Sequence, residues 1–244
     1  MNGKYNLKSI IVGFIIILAG IGAILLDYFI LKTAQNIWIS IGCSLLASGI
    51  VILATALLVD VKEVDALKKW GLVKIYKTRS EKGKDSDPEL DKAKKQLDVV
   101  AFGLKSFRTM HDKKIEKLLR RGIDVRILTM NPDVNNIFLT QREKEENEPP
   151  GQILNSIIGL VEWADKLNKL KFTGKIIVKG YECMTLDFYW RVDNEVYIGP
   201  YCYGIGSQQT ITYKFKEGKI GFDLYTDYFE RLWNDKEITK VLTA

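Results

Sequence analysis

Two apolar runs near the N-terminus constrain this chain more than any other feature. From Ile10 to Leu26 no side chain is charged or strongly polar, and after Asp27 the apolar character resumes at Tyr28-Phe29-Ile30-Leu31. A second run, Ile37 to Val59, is interrupted only by Ser, Thr and Cys. Each is about 20 residues, which at a 1.5 Å rise per residue crosses a hydrocarbon core of roughly 30 Å. The competing account, a soluble core helix apolar on every side, does not accommodate two such helices in tandem. A signal peptide would end at a small-x-small cleavage site before a mature domain, whereas here a second run follows at once. The sequence therefore predicts a two-span anchor over 1–60, with spans at about 9–31 and 37–59 and Lys32-Thr33-Ala34-Gln35-Asn36 as the hairpin turn.

Charge separates this anchor from the rest. Of 36 basic and 30 acidic side chains, three and two fall within residues 1–60, leaving 33 and 28 for the remainder. With 47% hydrophobic and 11% aromatic residues, the chain has enough apolar surface to offset its ordering entropy, which excludes intrinsic disorder. Lys4 and Lys8 precede the first span and only Lys32 lies in the turn, while Lys62, Lys68, Lys69, Lys74, Lys77 and Arg79 follow the second. The positive-inside rule then places both termini in the cytoplasm of a multi-pass inner (plasma) membrane protein. Asp27 reads as a boundary marker within reach of water. Ser40, Ser44 and Ser48, with Gly42 and Gly49, give the second span a small-residue face. Such a face permits close helix approach, within the hairpin or between copies of a homo-oligomer.

Cys43, Cys183 and Cys202 include no C-x-x-C pair, and in a cytoplasmic context they read as reduced structural thiols. A single histidine, His111, leaves a His-based metal site almost without ligands, and no cofactor is expected. The modest basic surplus lies mostly beside the membrane. It fits attraction to anionic lipid better than sequence-specific nucleic acid binding.

The cytoplasmic part alternates strands and helices. A juxtamembrane connector over 61–97 continues helically to Gly71 and then forms a short strand, Leu72–Tyr76. Ser80 to Pro88 reads as a loop by composition, with Asp87 as N-cap and Pro88 as the first residue of a following helix. Leu97–Gly103 is a buried strand. Ile115, Leu118 and Leu119 mark a helix closed by Gly122, and Ile123, Val125 and Ile127 alternate as the next strand. This β-α-β unit implies a parallel strand pair. A polar, acidic loop follows over 131–150, then an amphipathic helix over 153–167. Strands come next at 175–179, 184–191, 195–199 and 210–215, with a last helix near 223–233. The fold class is α/β, a mixed-sheet domain over 98–244 behind the anchor and connector.

On these residues the chain resembles a family. The strand, the helix ending in Arg121-Gly122 and the strand Ile123–Leu128 look like the β-α-β unit of phospholipase D-like domains. Val192-Asp193-Asn194-Glu195-Val196-Tyr197-Ile198-Gly199 is similar to the hairpin ending that family's signature, and Tyr228–Trp233 to its C-terminal helix. The likeness spans roughly residues 70–235. The family pattern is His-x-Lys, four residues, Asp, six residues, then Gly. With Asp193 on the aspartate, Leu186 stands where the histidine belongs and Phe188 where the lysine belongs, and Gly199 follows after five residues. The resemblance implies a nucleophilic histidine and a phosphate-binding lysine, and neither is present, so the family's chemistry does not carry over. His111-Asp112-Lys113 satisfies His-x-Lys literally. It sits at a helix start, where an exposed histidine in a basic stretch is the plain reading, and Leu118 occupies the aspartate position.

Candidate ligand contacts follow from strand order, since ligands of α/β sheets favour the carboxyl ends of parallel strands. Lys105 and Arg108 after the first parallel strand are placed to hold a phosphate at a helix N-terminus, or are an ordinary basic helix start. Asn131 follows the second strand, Arg79 is a further anion contact, and Asp193 is carried from the signature. The sequence thus favours a membrane-anchored sensor or effector with a non-catalytic phospholipase D-like domain. It would bind a phosphate-containing, nucleotide-like ligand or oligomerise, as in stress or phage defence. The alternatives are an active phosphodiesterase or phosphatase with an unrecognised site, and a plain membrane scaffold.

Overall fold

A computed structural model describes residues 7–31, 37–58, 62–184 and 187–243. The chain divides into two compact units, Met1–Leu67 and Lys68–Ala244.

In the first unit, α1 (Leu7–Leu26) runs on into a π-helical turn, Asp27–Leu31, and packs against α2 (Ile37–Leu58). The expected hairpin turn, 32–36, lies outside the described residues. Leu7–Ile30 and Ile37–Leu57 are long and apolar enough to cross a membrane. Gly20 and Gly42 face one another so closely that a Cβ on either would fall 2.8 Å from the other's carbonyl oxygen. Glycine is what lets these backbones meet. Ser40, Ser44 and Ser48 point outward instead, with the Ser48 hydroxyl donating to the Ser44 carbonyl at 2.8 Å. The small-residue face therefore splits, glycines inward and serines outward. Asp27 is only 2% exposed, buried rather than open to water at a boundary.

The second unit is built on one mixed eight-stranded sheet. Its strands are β1 (Leu72–Tyr76), β2 (Gln96–Val100), β3 (Asp124–Met130), β4 (Ile176–Tyr181), β5 (Asp187–Val192), β6 (Glu195–Pro200), β7 (Thr212–Lys216) and β8 (Thr239–Val241). Their spatial order is β1-β7-β6-β5-β2-β3-β4-β8. Strands β2, β3 and β4 are parallel, and every other pairing is antiparallel. Between α2 and β1 lies α3 (Lys62–Trp70), ended by Gly71 at φ +76°.

Alternation along the strands gives each face of the sheet its own core. Leu97 and Val99 of β2 and Phe188, Trp190 and Val192 of β5 face α4 (Arg79–Lys92), α5 (Lys105–Arg120) and the body of α7 (Gln152–Asn168). Val100, Tyr189 and Ile198 face α8 (Ile220–Asn234), with α6 (Ile137–Glu145) and the start of α7 completing that side. One polar group of this second side is fully buried. The carboxylate of Asp98, 0% exposed, accepts two bonds from the Arg126 guanidinium at 2.7 and 2.8 Å. The same guanidinium reaches Glu230 of α8 at 2.6 Å and lies over the Phe229 and Trp233 rings. These bonds to both carboxylates raise the pKa of Arg126 and fix α8 on the sheet.

Two helices depart from the sequence expectation. The stretch expected to be a loop, 80–88, lies in α4, which begins nine residues before the predicted Pro88 start. Thr78 is its N-cap, accepting from the Glu81 amide at 3.1 Å, and the Glu81 carboxylate takes the Lys77 amide at 3.0 Å. Pro88 sits inside the helix. The acidic stretch 131–150 contains α6, capped by Asn136 through the amides of Phe138 and Leu139.

A candidate ligand cleft

The buried stripe of α4 is Arg79, Lys82, Ser86 and Leu90, a spacing of three and four that turns one helix face inward. Three of those four are polar, and the two cations face rings. Phe188 and Trp190, two apart on β5, lie on the same face of the sheet. The Arg79 guanidinium carbon is 4.1 Å from the Phe188 ring centre, and the Lys82 ammonium is 4.0 Å from that of Trp190. Such contacts hold a desolvated cation with up to about 2 kcal/mol each.

They leave these cations without counter-ions. Both side chains are 6% exposed. Arg79 donates from Nη2 to the Thr210 hydroxyl at 3.1 Å, while its Nε is buried without a partner. The Lys82 amide donates to the Thr78 carbonyl at 3.3 Å, but its ammonium has no hydrogen-bond or ion-pair partner among the described residues. Burial pushes the pKa of Arg79 down and brings that of Lys82 to about 7.

The opposite wall comes from the β2–α5 connection. Gly103 is at φ +53° and so close to α7 that a Cβ would lie 2.4 Å from the Ser156 hydroxyl oxygen. This tight turn and the first turn of α5 line the opening. Further along, His111 is not the exposed residue expected from the sequence: it is 8% exposed, mid-helix, against Phe107 and Trp190. Its Nε2 is 3.6 Å from the Asp87 carboxylate of α4, and its Nδ1 is buried without a partner. Burial holds its pKa below the usual imidazole value despite Asp87.

The rim is the α6–α7 connection. Glu143, buried at the end of α6, accepts from the amides of Gly151 and Ile153 at 2.8 Å and of Leu154 at 3.3 Å, which fixes the start of α7. Arg142 pairs with Glu145 and Glu146 and lies 4.6 Å from the Tyr201 ring centre; Arg79 lies 4.7 Å from the same ring. Together these walls enclose a cleft of about 1160 Å³. That is at the upper end of, or above, the size of small-molecule sites.

The sequence-derived candidates fall into two groups. Arg79, Lys105 and Arg108 line the cleft. Lys105 is exposed at the first position of α5, whereas Arg108 is partly occupied, donating from Nη1 to the Gly159 carbonyl at 2.7 Å and from Nη2 to the Ser156 carbonyl at 3.1 Å, with its Nε buried without a partner. Asn131 and Asp193 stand apart from it. The Asn131 amide donates to the Tyr181 carbonyl, and its own carbonyl accepts from the Asn136 side chain. Asp193 sits in the β5–β6 turn at the amino end of β2, where its carboxylate accepts the amides of Lys94, Lys95 and Gln96. Leu186, at the histidine position of the family pattern, lies outside the described residues. Phe188, at the lysine position, forms the cleft wall under Arg79. Lys82, Asp87 and Trp190 were not singled out from sequence. Among the described residues, no three His, Cys, Asp or Glu side chains gather to hold a metal ion.

No protein-family model matches the chain, and no curated protein sequence matches it. Similar solved structures include TrmBL2, an archaeal chromatin protein, at 14% identity and TM-score 0.41, over 85% of this chain and 67% of that one. NucT from Helicobacter pylori is 12% identical with a TM-score of 0.39, over 66% of this chain and 94% of that one. Phosphatidylserine synthase from Haemophilus influenzae Rd KW20 is 15% identical with a TM-score of 0.47, over 69% of this chain and 39% of that one.

Proposed function

We propose that this chain is a membrane-anchored ligand-binding module whose α/β domain holds the phosphate of a small anionic ligand in the cleft between α4, α5 and the α6–α7 connection. One observation carries the reading: Arg79 and Lys82 are buried at the cleft wall, and among the described residues no carboxylate lies within ion-pair reach of either. A buried charge without a partner is strongly unfavourable, and an arriving anion relieves it. Lys105 and the first-turn amides of α5 add donors from the facing side.

On this reading the domain is phospholipase D-like but lacks that family's nucleophile. The cation that the family places on the strand is supplied instead by α4, over Phe188. The anchor has both termini in the cytoplasm of an inner membrane, and a role as a stress or phage-defence effector extends the same idea. The test is thermal unfolding of the detergent-solubilised full chain with inorganic phosphate and nucleotides. A ligand at 100 times its Kd should stabilise by about 2.7 kcal/mol, and Arg79→Ala should abolish the shift. No shift with any phosphate compound would leave a plain scaffold.

A second reading, a phosphodiesterase, is favoured by His111 lying buried beside Asp87 in the same cleft. Turnover of a generic phosphodiester that disappears in His111→Ala would establish it over binding alone.

A further inference from the structure

Charge balance in the cleft goes further than the presence of unpaired cations. Arg79, Lys82 and His111 come from two helices to one wall; Lys82 and His111 both lie against the Trp190 ring. The neighbouring acids are spoken for, with two exceptions. Asp91 is paired with Lys114 at 2.9 Å, Glu89 with Lys214 at 2.6 Å, and Glu146 with Arg142. Asp187 interacts with Arg79, but burial raises its pKa, towards the neutral acid. Asp87 is left facing the group, at 3.6 Å from His111. With all three basic side chains protonated and Asp187 neutral, three positive charges meet one unpaired carboxylate, so two negative charges are missing.

We infer that the cleft recognises a terminal phosphate monoester in its dianionic form, held by Arg79, Lys82 and His111 together, and that binding draws protons onto Lys82 and His111. This rests on the phosphate-binding reading above and names its ligand class. A monoester is almost fully dianionic above pH 7, because its second pKa is about 6, whereas a diester carries a single charge. The buried Nδ1 of His111 and Nε of Arg79, both without partners, are donors the dianion would satisfy.

The groups facing each titrating side chain set the direction. Lys82 faces Arg79, Asp87 and Glu89 along α4 and the neutral rings of Phe188, Trp190 and Tyr197. His111 faces Asp87, Asp91 and Lys82 from α4 and Lys114 of its own helix, with uncharged Phe107 and Trp190 completing its surroundings. In the free domain Lys82 gives up its proton from about pH 7 upward. A bound dianion restores it, so affinity falls as pH rises.

Isothermal titration of the full chain in detergent with AMP, cyclic AMP and inorganic phosphate tests this. AMP and cyclic AMP share base and sugar but differ in being monoester and diester. The expected result is AMP binding more tightly than cyclic AMP. From pH 7 to 8.5 the AMP affinity should drop roughly tenfold through Lys82 alone. The heat should also vary with buffer ionisation enthalpy, corresponding to net proton uptake, a readout that needs no variant. Lys82→Arg, which fixes the charge, should flatten the pH dependence. Equal binding of both nucleotides with no proton uptake would overturn the inference while leaving phosphate binding in place. No binding of any of the three, with Arg79→Ala indistinguishable from wild type, would remove both.

Discussion

Replacing Lys82 by methionine should make the protein more stable. Moving this ammonium's pKa from its ordinary 10.5 to about 7 amounts to roughly 5 kcal/mol of disfavoured charge at 1.36 kcal/mol per pKa unit. Methionine keeps the length and apolar stem but gives up the cation–π contact with Trp190, so we expect a net gain of about 2–4 kcal/mol at pH 7. For a domain of this size that is roughly 5–15 °C in Tm. The pH profile supplies an independent check. The unfolded chain holds the Lys82 proton until about pH 10.4, whereas the folded domain releases it from about pH 7. Between these values the unfolded state binds more protons, so wild-type stability rises with pH, by ~2 kcal/mol from pH 7 to 9. Lys82→Met should remove that rise. Thermal unfolding of the full chain in detergent, followed by tryptophan fluorescence at pH 7 and 9, measures both effects. A variant no more stable than wild type, with the same pH slope, would refute the claim that an uncompensated cation is stored here. The gain in stability should come with loss of phosphate binding, as expected where a site is held away from its stability optimum.

Other positions give contrasting outcomes. Asp98→Asn leaves Arg126 with half its buried partners and should lower stability by about 3 kcal/mol in the same unfolding assay. Glu143→Ala removes the carboxylate that accepts from three amides at the start of α7 and should cost about 1–3 kcal/mol; amide exchange should quicken at Gly151, Ile153 and Leu154. Asp193→Ala, which unties Lys94–Gln96 at the far end of β2, should destabilise the domain yet leave phosphate affinity within twofold of wild type by titration.

The parts of the fold legible in the sequence are those whose buried faces are apolar. The β2–α5–β3 unit, α7 and α8 carry hydrophobic spacing that matches their burial, and the two N-terminal helices are legible by the length of their apolar runs. Helix α4 escapes that test because three of its four inward residues are Arg79, Lys82 and Ser86, two cations facing rings and a buried hydroxyl. Its Ser, Gly, Asp and Pro content then reads as a loop, and Pro88 as a start instead of an interior residue. The same fact hid the site. Arg79 is legible as an anion contact but not as a buried one, and Lys82 not at all, because what singles them out is burial against Phe188 and Trp190 from a strand more than 100 residues away. His111 looked like part of a basic helix start, yet the spacing from Phe107 through His111 to Ile115 places it on the inward face of α5. Arg108 shows the reverse: a cation in the expected place whose two terminal nitrogens are already taken by backbone carbonyls of α7.

The most direct test is a crystal structure of the full chain soaked with tungstate, a heavy dianion whose anomalous signal marks its position. The account predicts a peak within hydrogen-bond reach of Arg79, Lys82 and His111. A peak confined to the exposed cluster of Lys114, Lys117, Arg120 and Arg121, with the α4 cations unoccupied, would contradict it.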